Sequence, residues 1–438
     1  MKNALIDHRA PPQSALVIHA VRPRATSART PEERLEEAIG LAVALDLEVR
    51  DALVVGLRTL SPASLFGSGK VEEIAAIRRE LDVDVVVIDD ALSPVQQRNL
   101  ERAWQVKVID RTGLILEIFA RRARTGEGRL QVELARLDYE RSRLVRTWTH
   151  LERQRGGFGF MGGPGETQIE ADRRLLVDRI VKLKAELADV RRTRSLQRLG
   201  RKRVPFPIIA LVGYTNAGKS TLFNRLTKSD VLAKAMLFAT LDPTLRQLPL
   251  PNGRSVILSD TVGFISDLPH ELVEAFRATL DEVREADVIL HVRDIATPDS
   301  DAQSQDVAAV LEEIGVKRDE GRRILEVWNK ADLLAVDQRQ DLEERAKRER
   351  AVVISSLVGE GIPALIDRVA ALIDDDPERT FRLSPDDGEA LAWLYRHGRV
   401  TDRRESGDGL SITARLDSQA LGRFEQLRPH LSGHLAAS

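Results

Sequence analysis

The chain has 438 residues, 42% of them hydrophobic, and a formal net charge of only −2, so any nucleic-acid contact has to be local and not a property of the whole surface. It has no cysteine, which excludes disulfides and thiolate metal sites. No stretch of roughly 18 uncharged apolar residues occurs and the N-terminus lacks the apolar centre of a signal peptide, so the sequence predicts a cytoplasmic protein of about three domains or more.

Residues 15 to 110 alternate apolar runs with helical stretches. Ala15–Ile18 is followed by an amphipathic segment from Pro31 to Leu45. Val83–Ile88 is followed by a helix that Ser93 caps and Pro94 opens, and Val106–Ile109 gives a further strand. This alternation predicts a small parallel α/β layer over residues 1–112. Gly67-Ser68-Gly69-Lys70 superficially resembles a phosphate loop. Ser64 stands where the pattern requires glycine and Val71 offers no hydroxyl, so the segment reads as a turn and helix start. Asp89 and Asp90 end a strand and read as a capped, solvated turn.

A helical region follows, assigned to residues 113–203. Leu130, Leu134, Leu137, Leu144, Trp148 and Leu151 share one face, and Leu176, Ile180, Leu183, Leu187 and Val190 step by four and three on the return. That spacing predicts an antiparallel helical hairpin. Its connection, from Arg155 to Glu166, is rich in glycine, with Phe158 and Phe160 inside it and Arg153 and Arg155 at its start. Arginine with aromatics suits RNA backbone and bases, and a tip without a partner is the bland alternative. Arg191, Arg192, Arg194, Arg198, Arg201, Lys202 and Arg203 run without an intervening acid. Phosphate contact and a solvated linker remain equally open for that run.

Residues 204–375 carry the strongest signal. Ile208–Val212 reads as a buried strand, Ser220–Leu226 as a helix, and between them Gly213, Tyr214, Thr215, Asn216, Ala217, Gly218, Lys219 and Ser220 fit the phosphate-loop pattern. In such a loop Lys219 reaches the β- and γ-phosphates and Ser220 binds Mg²⁺. Ser255–Ser259 is a second apolar run and ends in Asp260-Thr261-Val262-Gly263, where Asp260 can hold Mg²⁺ through water and the Gly263 N–H can meet a γ-phosphate. Phe238, Ala239, Thr240, Leu241 and Asp242 lie between these boxes, with Thr240 the candidate switch threonine on Mg²⁺. Ile324–Trp328 ends in Asn329-Lys330-Ala331-Asp332. Asp332 can accept from the N1–H and 2-amino group of guanine, which adenine cannot offer. Ser355, Ser356 and Leu357 follow the next strand and can present a backbone N–H to guanine O6. Lys219, Thr240 and Gly263 are the candidate catalytic groups.

Two residues modify this picture. A glutamine follows the glycine of the second box in Ras-like enzymes and orients the attacking water; here the position is Phe264, which cannot. Slow turnover alone is therefore expected. Asn216 stands where related GTPases help to hold K⁺; an ordinary loop hydrogen bond is the equal alternative. After residue 376 the pattern is helix (386–396), strand (399–404), strand (410–416) and helix (418–427), with Gly407-Asp408-Gly409 as a hairpin turn. His430 and His434 near the end read as surface residues.

The boxes together resemble a translation-factor-related GTPase domain. The run Asp110-Arg111-Thr112-Gly113 to Thr125, the segments Trp148–Gln154 and Gly163–Gln168, and Asp172-Arg173-Arg174 join the phosphate loop and Phe238–Pro243 in resembling the bacterial HflX family over roughly residues 15 to 375. That resemblance implies a ribosome-associated GTPase that binds the large subunit and splits stalled ribosomes after stress, its glycine-rich tip reaching the peptidyl-transferase region. The fold expected is α/β: a phosphate-loop GTPase domain preceded by a small parallel layer and a helical hairpin, then a small α+β domain. The ligands expected are GTP or GDP, Mg²⁺ and K⁺; the partner is the large subunit and its RNA. A monomer without stable membrane insertion is expected, with peripheral membrane association allowed. An assembly factor or RNA remodeller, and a switch acting on a protein partner, are the alternative functions.

Overall fold

A computed structural model describes residues 12–23, 29–154, 164–201, 206–229, 237–238, 244–251, 254–267, 280, 282–316, 323–373, 378–384, 387–406, 409–416, 418–428 and 434–435. Contacts divide the chain into two compact units, one of residues 1–249 and 255–362, the other of residues 250–254 and 363–438.

The first unit opens with a parallel sheet in the order β2-β1-β3-β4, formed by β1 (Ser14–Val21), β2 (Glu48–Gly56), β3 (Val85–Asp89) and β4 (Lys107–Asp110). Continuous apolar runs suit strands covered on both faces, and β1 and β3 are buried almost throughout. Helix α1 (Pro31–Ala44) starts at a Thr30–Glu33 capping box, α2 (Ser68–Leu81) at the turn after Gly67, and α3 (Pro94–Trp104) at a Ser93–Gln96 capping box. Helix α4 (Arg111–Arg122) is capped by Asp110 and packs with α1 against the sheet, so the expected boundary at residue 112 falls inside it.

The hairpin is α5 (Gly126–Gln154) and α6 (Pro164–Arg201). Ile180, Leu183 and Leu187 are buried on α6 as the spacing predicts. On α5 the buried residues are Gln131, Val132 and Ala135, while Leu130, Leu134 and Leu137 are half-buried. The packed stripe is thus rotated from the leucine face, because the root of α5 also packs on α4. The side chains of Leu144, Trp148 and Leu151, and residues 155–163 of the tip, lie outside the described residues. An Arg179–Glu133 pair at 2.7 Å crosses between the helices.

A six-stranded sheet follows in the order β10-β9-β8-β5-β7-β6: β5 (Ile208–Val212), β6 (Thr244–Pro249), β7 (Ser255–Asp260), β8 (Val288–Asp294), β9 (Arg323–Asn329) and β10 (Val352–Val353). Only β6 is antiparallel. Helices α7 (Lys219–Thr227), α8 (Ser300–Glu313) and α9 (Val336–Glu349) alternate with the strands. A single apolar cluster joins α1 and α4 to this region through Phe238, Val262, Phe264 and Ile265. Phe238 meets Phe119 edge-on at 4.6 Å between ring centroids.

The second unit contains α10 (Ile362–Ile373) and an antiparallel sheet ordered β12-β13-β11-β14 from β11 (Glu378–Leu383), β12 (Arg399–Ser406), β13 (Gly409–Arg415) and β14 (His434–Leu435). Helices α11 (Gly388–His397) and α12 (Ser418–Leu427) cover one face around Phe381, Leu394, Ile412 and Phe424. His434 is on the edge strand; His430 lies outside the described residues.

Asp89 is not a solvated turn. It is buried, bonded to His19 at 2.7 Å and to Arg111 at 2.5 Å. Burial raises the carboxyl pKa, but Arg111 and His19 together outweigh it and hold the group below the ordinary range. Asp90, beside it, pairs with Arg22 at the surface. Arg111→Ala leaves Asp89 without its guanidinium and Glu37 with Arg29 as its remaining cation, and is expected to lower unfolding free energy by about 3–5 kcal/mol. Urea titration measures it, and adding Asp89→Asn to Arg111→Ala should recover part of the loss.

Candidate functional site

The two sequence boxes nearest the phosphates come together at the C-terminal ends of β5 and β7. Gly213 (φ 152°) leaves β5, and a Cβ there would sit 2.1 Å from the Val292 carbonyl oxygen. Gly218 (φ 93°) starts α7, where a Cβ would meet Asn329 Nδ2 at 2.2 Å. Both positions need a left-handed backbone and lack space for a side chain, so glycine is required for the loop to close. Ser220 Oγ donates to Asp260 Oδ2 at 2.8 Å, which places a hydroxyl beside a buried carboxylate. These are hard oxygen donors of the kind Mg²⁺ prefers, and the pair fits that ion. Thr240, Ala239, Leu241 and Asp242 lie outside the described residues.

Lys219 is buried, and its ammonium donates to the carbonyls of Gly213 at 3.1 Å and Tyr214 at 2.7 Å. Burial lowers its pKa from 10.5 to about 8, with Asp260 acting in the opposite direction. Gly263 packs against this group: a Cβ there would lie 2.9 Å from Thr215 Cα and 3.1 Å from Lys219 Nζ. The next residue, Phe264, is buried; its N–H donates to Gly213 O at 3.1 Å and its carbonyl accepts from Thr215 N–H at 2.7 Å. One phosphate-loop donor is therefore held by the residue that follows the Asp260–Gly263 segment. Asn216 (φ 62°) is exposed at the loop crest.

Asn329, Lys330, Ala331 and Asp332 follow β9. Asn329 is buried, donates to Ala217 O at 2.8 Å and accepts from both the N–H and the hydroxyl of Ser356 at 2.9 Å. It ties the phosphate loop to the Ser355–Leu357 turn. Lys330 (φ 65°) is fixed by Asp294 at 2.6 Å. Asp332 is half-buried beyond it, and Leu357 is 71% exposed. Asp294 was missed at the level of sequence; the signal that could have found it is its place at the end of β8.

The sequence also missed the partners of Tyr214. Its ring lies in the phosphate loop, but its hydroxyl leaves the nucleotide site. It donates to Glu37 and accepts from Arg29 at 2.8 Å and from Ser266 N–H at 2.8 Å. Burial raises the Tyr214 pKa, with Glu37 adding to the shift. Arg111 reaches the Ser266 carbonyl at 3.0 Å, and Glu37 at 2.5 Å. Residues of α1, of α4 and of the segment preceding α1 thereby hold the chain three residues past Gly263.

Family models match nearly the whole length: a GTP-binding GTPase N-terminal region over 32–120, a GTPase middle region over 122–201, a "50S ribosome-binding GTPase" over 208–330 and an HflX C-terminal domain over 327–427. A protein named GTPase HflX from Magnetococcus marinus is 48% identical, covering 94% of this chain and 95% of its own. The chain belongs to the HflX family. The Escherichia coli GTPase HflX is 43% identical over 92% of this chain and 94% of its own. Among solved structures, a GTP-binding protein from Sulfolobus solfataricus in complex with GDP is 27% identical, covers 82% of this chain and 98% of its own, and has a TM-score of 0.44. Among the described residues no helix is long and apolar enough to cross a membrane.

The Lys219 pKa gives a signed expectation. The nucleotide-free protein carries the cost of burying this ammonium below pH 8, and the cost disappears between pH 8 and 10.5. Lys219→Met should therefore be more stable than the parent at pH 7 by up to about 3 kcal/mol, an advantage that shrinks across that window. Phosphate restores the charge, so GDP binding near pH 8.5 should take up a proton and weaken as pH rises. Calorimetry in two buffers of different ionisation enthalpy counts that proton.

Proposed function

We propose that this HflX chain is a Mg²⁺-dependent GTPase that binds the large ribosomal subunit and splits or rescues stalled ribosomes under stress. The observation that carries the reading is the convergence of Lys219, Ser220, Asp260, Gly263, Asn329 and the Ser355–Leu357 turn at the strand ends of one sheet, in a chain that also bears the α5–α6 hairpin. The match over 208–330 to the family of 50S ribosome-binding GTPases supports a ribosomal partner.

Within the site, Ser220 and Asp260 would hold Mg²⁺, together with Thr240. When bound, the ion would supply positive charge to offset the charge that develops on the phosphate oxygens. Lys219 turns from the Gly213 and Tyr214 carbonyls to the β- and γ-phosphates. The Gly263 N–H offers a donor to the γ-phosphate, and the Thr215 N–H becomes available once its bond to Phe264 opens. Asp332 and the Leu357 N–H select guanine. Phe264 is packed in the core and has no polar atom on its side chain to orient water, so the slow step waits for a group from outside. The Arg155–Glu166 tip and the basic run after Arg191 are the segments offered to ribosomal RNA.

Sedimentation through sucrose with a non-hydrolysable GTP analogue tests the reading. Loss of intact ribosomes and appearance of the chain on large subunits is the expected result. Co-migration with immature particles alone would point to assembly, and no co-migration to a protein partner. Turnover should rise on the order of tenfold or more when large subunits are added, because a missing water-positioning group is supplied in trans; equal rates with and without subunits would refute it.

The proposal extends to K⁺ at Asn216, which is exposed in the phosphate loop; an ordinary loop hydrogen bond is the alternative. GTPase rates in KCl should exceed those in NaCl at equal ionic strength, and Asn216→Ala should remove the difference.

A further inference from the structure

We propose that Arg225 is a positioning residue for base selection: it fixes the peptide whose N–H reads the 6-oxygen of guanine. The inference rests on the guanine reading of Asp332 and Leu357 and deepens it. Arg225 lies on α7, on the helix face turned to the Ser355–Leu357 turn. Its Nε donates to the Ser356 carbonyl at 3.1 Å, and its Nη2 donates to the Leu357 carbonyl. Gly359 (φ 101°) lets the guanidinium come close, since a Cβ there would stand 3.3 Å from Nη1.

The chemistry follows from peptide geometry. In a trans peptide the carbonyl of Ser356 and the N–H of Leu357 point in opposite directions from one rigid plane. A cation that clamps the carbonyl from the α7 side therefore aims the N–H the other way, toward the base. The same bond polarises the peptide and strengthens its N–H as a donor. The neighbouring donors are already engaged within the protein. Ser355 N–H is bonded to Glu360 O at 3.0 Å, Ser356 N–H to Asn329 at 2.9 Å, Val358 N–H to Ser355 Oγ at 3.1 Å and Gly359 N–H to Ser355 O at 2.8 Å. Among the described residues this leaves the Leu357 N–H as the donor of the turn available to a ligand. Asn329 fixes the turn at one end, and Arg225 fixes it at the peptide that matters. Arg225 is exposed on its outer side and lies one helical turn beyond the phosphate loop, so it touches neither phosphate nor the reacting atoms.

The test is competition of GDP, inosine diphosphate and ADP against a fluorescent guanine nucleotide, on the full chain. Inosine keeps the 6-oxygen and loses the 2-amino group; adenine lacks the 6-oxygen. Arg225→Ala should weaken GDP and inosine diphosphate by the same factor, about tenfold, the worth of one good hydrogen bond to a charged or polarised group. ADP should be unchanged, and Arg225→Lys, with one donor in place of two, should recover part of the loss. In turnover KM for GTP should rise with kcat held within about twofold. Unchanged GDP affinity would overturn the proposal. So would equal weakening of all three nucleotides, which would mean that Arg225 acts on the phosphate loop or on the fold. A parent chain that binds ADP as tightly as GDP would overturn the base reading itself, and the positioning role with it.

Discussion

The constraint on which the rest of the structure depends is the burial of one guanidinium. Arg111 opens α4 and is enclosed by Asp89, Glu37 and the Ser266 carbonyl. Burial works against its charge, and Asp89 and Glu37 more than offset that, raising its pKa. A buried cation of this kind is tolerated only where every partner is in place. Its partners come from β3, from α1 and from the segment after Asp260–Gly263, so satisfying it fixes the parallel layer and the nucleotide-binding sheet against each other. The apolar cluster of α1, α4, Phe238 and Phe264 fills the space around this ionic centre.

Tyr214 extends the constraint into the phosphate loop. A side chain at this loop position could have faced the nucleotide, and its place in the motif invites that reading. The hydroxyl instead meets Glu37, Arg29 and the Ser266 N–H. Arg29 continues the network to Asp299 at 3.2 Å and Asp306 at 2.7 Å, at the start and middle of α8. Phosphate loop and post-glycine segment thus share hydrogen bonds, and α8 ion pairs, with residues of the N-terminal region. The loop's shape is held from outside its own sheet.

Much of this was legible in the sequence where a local pattern carries its own mechanism. The strand, glycine loop and helix at 208–227 follow from two glycines that no other residue can replace at those angles. Capping at Ser93 follows from donors that helix starts leave unpaired. What was not legible depends on partners distant in sequence. Asp89 read as a turn because its cation is 22 residues away. The buried stripe of α5 was misplaced because Val132 and Ala135 answer to α4 as well as to α6. Strand β11 went unnoticed because Glu378-Arg379-Thr380-Phe381-Arg382-Leu383 offers only two apolar residues, and pairing with β13 makes them core. The role of Asn329 as a tie between two loops also needed coordinates, since its partners lie 112 and 27 residues away.

Adjacent residues at the start of α4 divide two tasks, and this gives the chain its mechanical logic. Asp110 caps α4 through Gly113 N–H at 2.8 Å and also holds Tyr139 and Arg143 of α5, both at 2.6 Å. Arg111, the next residue, holds Ser266. The root of the hairpin and the segment following Gly263 are therefore anchored one peptide apart. That segment is in turn bonded to the phosphate loop through Thr215 and Phe264. Ser266, two residues past Phe264, gives its carbonyl to Arg111, so the phosphate loop, the segment after Gly263 and the start of α4 form one connected set of buried bonds. Only Ala123, Arg124 and Thr125 separate α4 from α5, and Asp110 binds both helices, so the same set of bonds extends to the hairpin without a flexible linker.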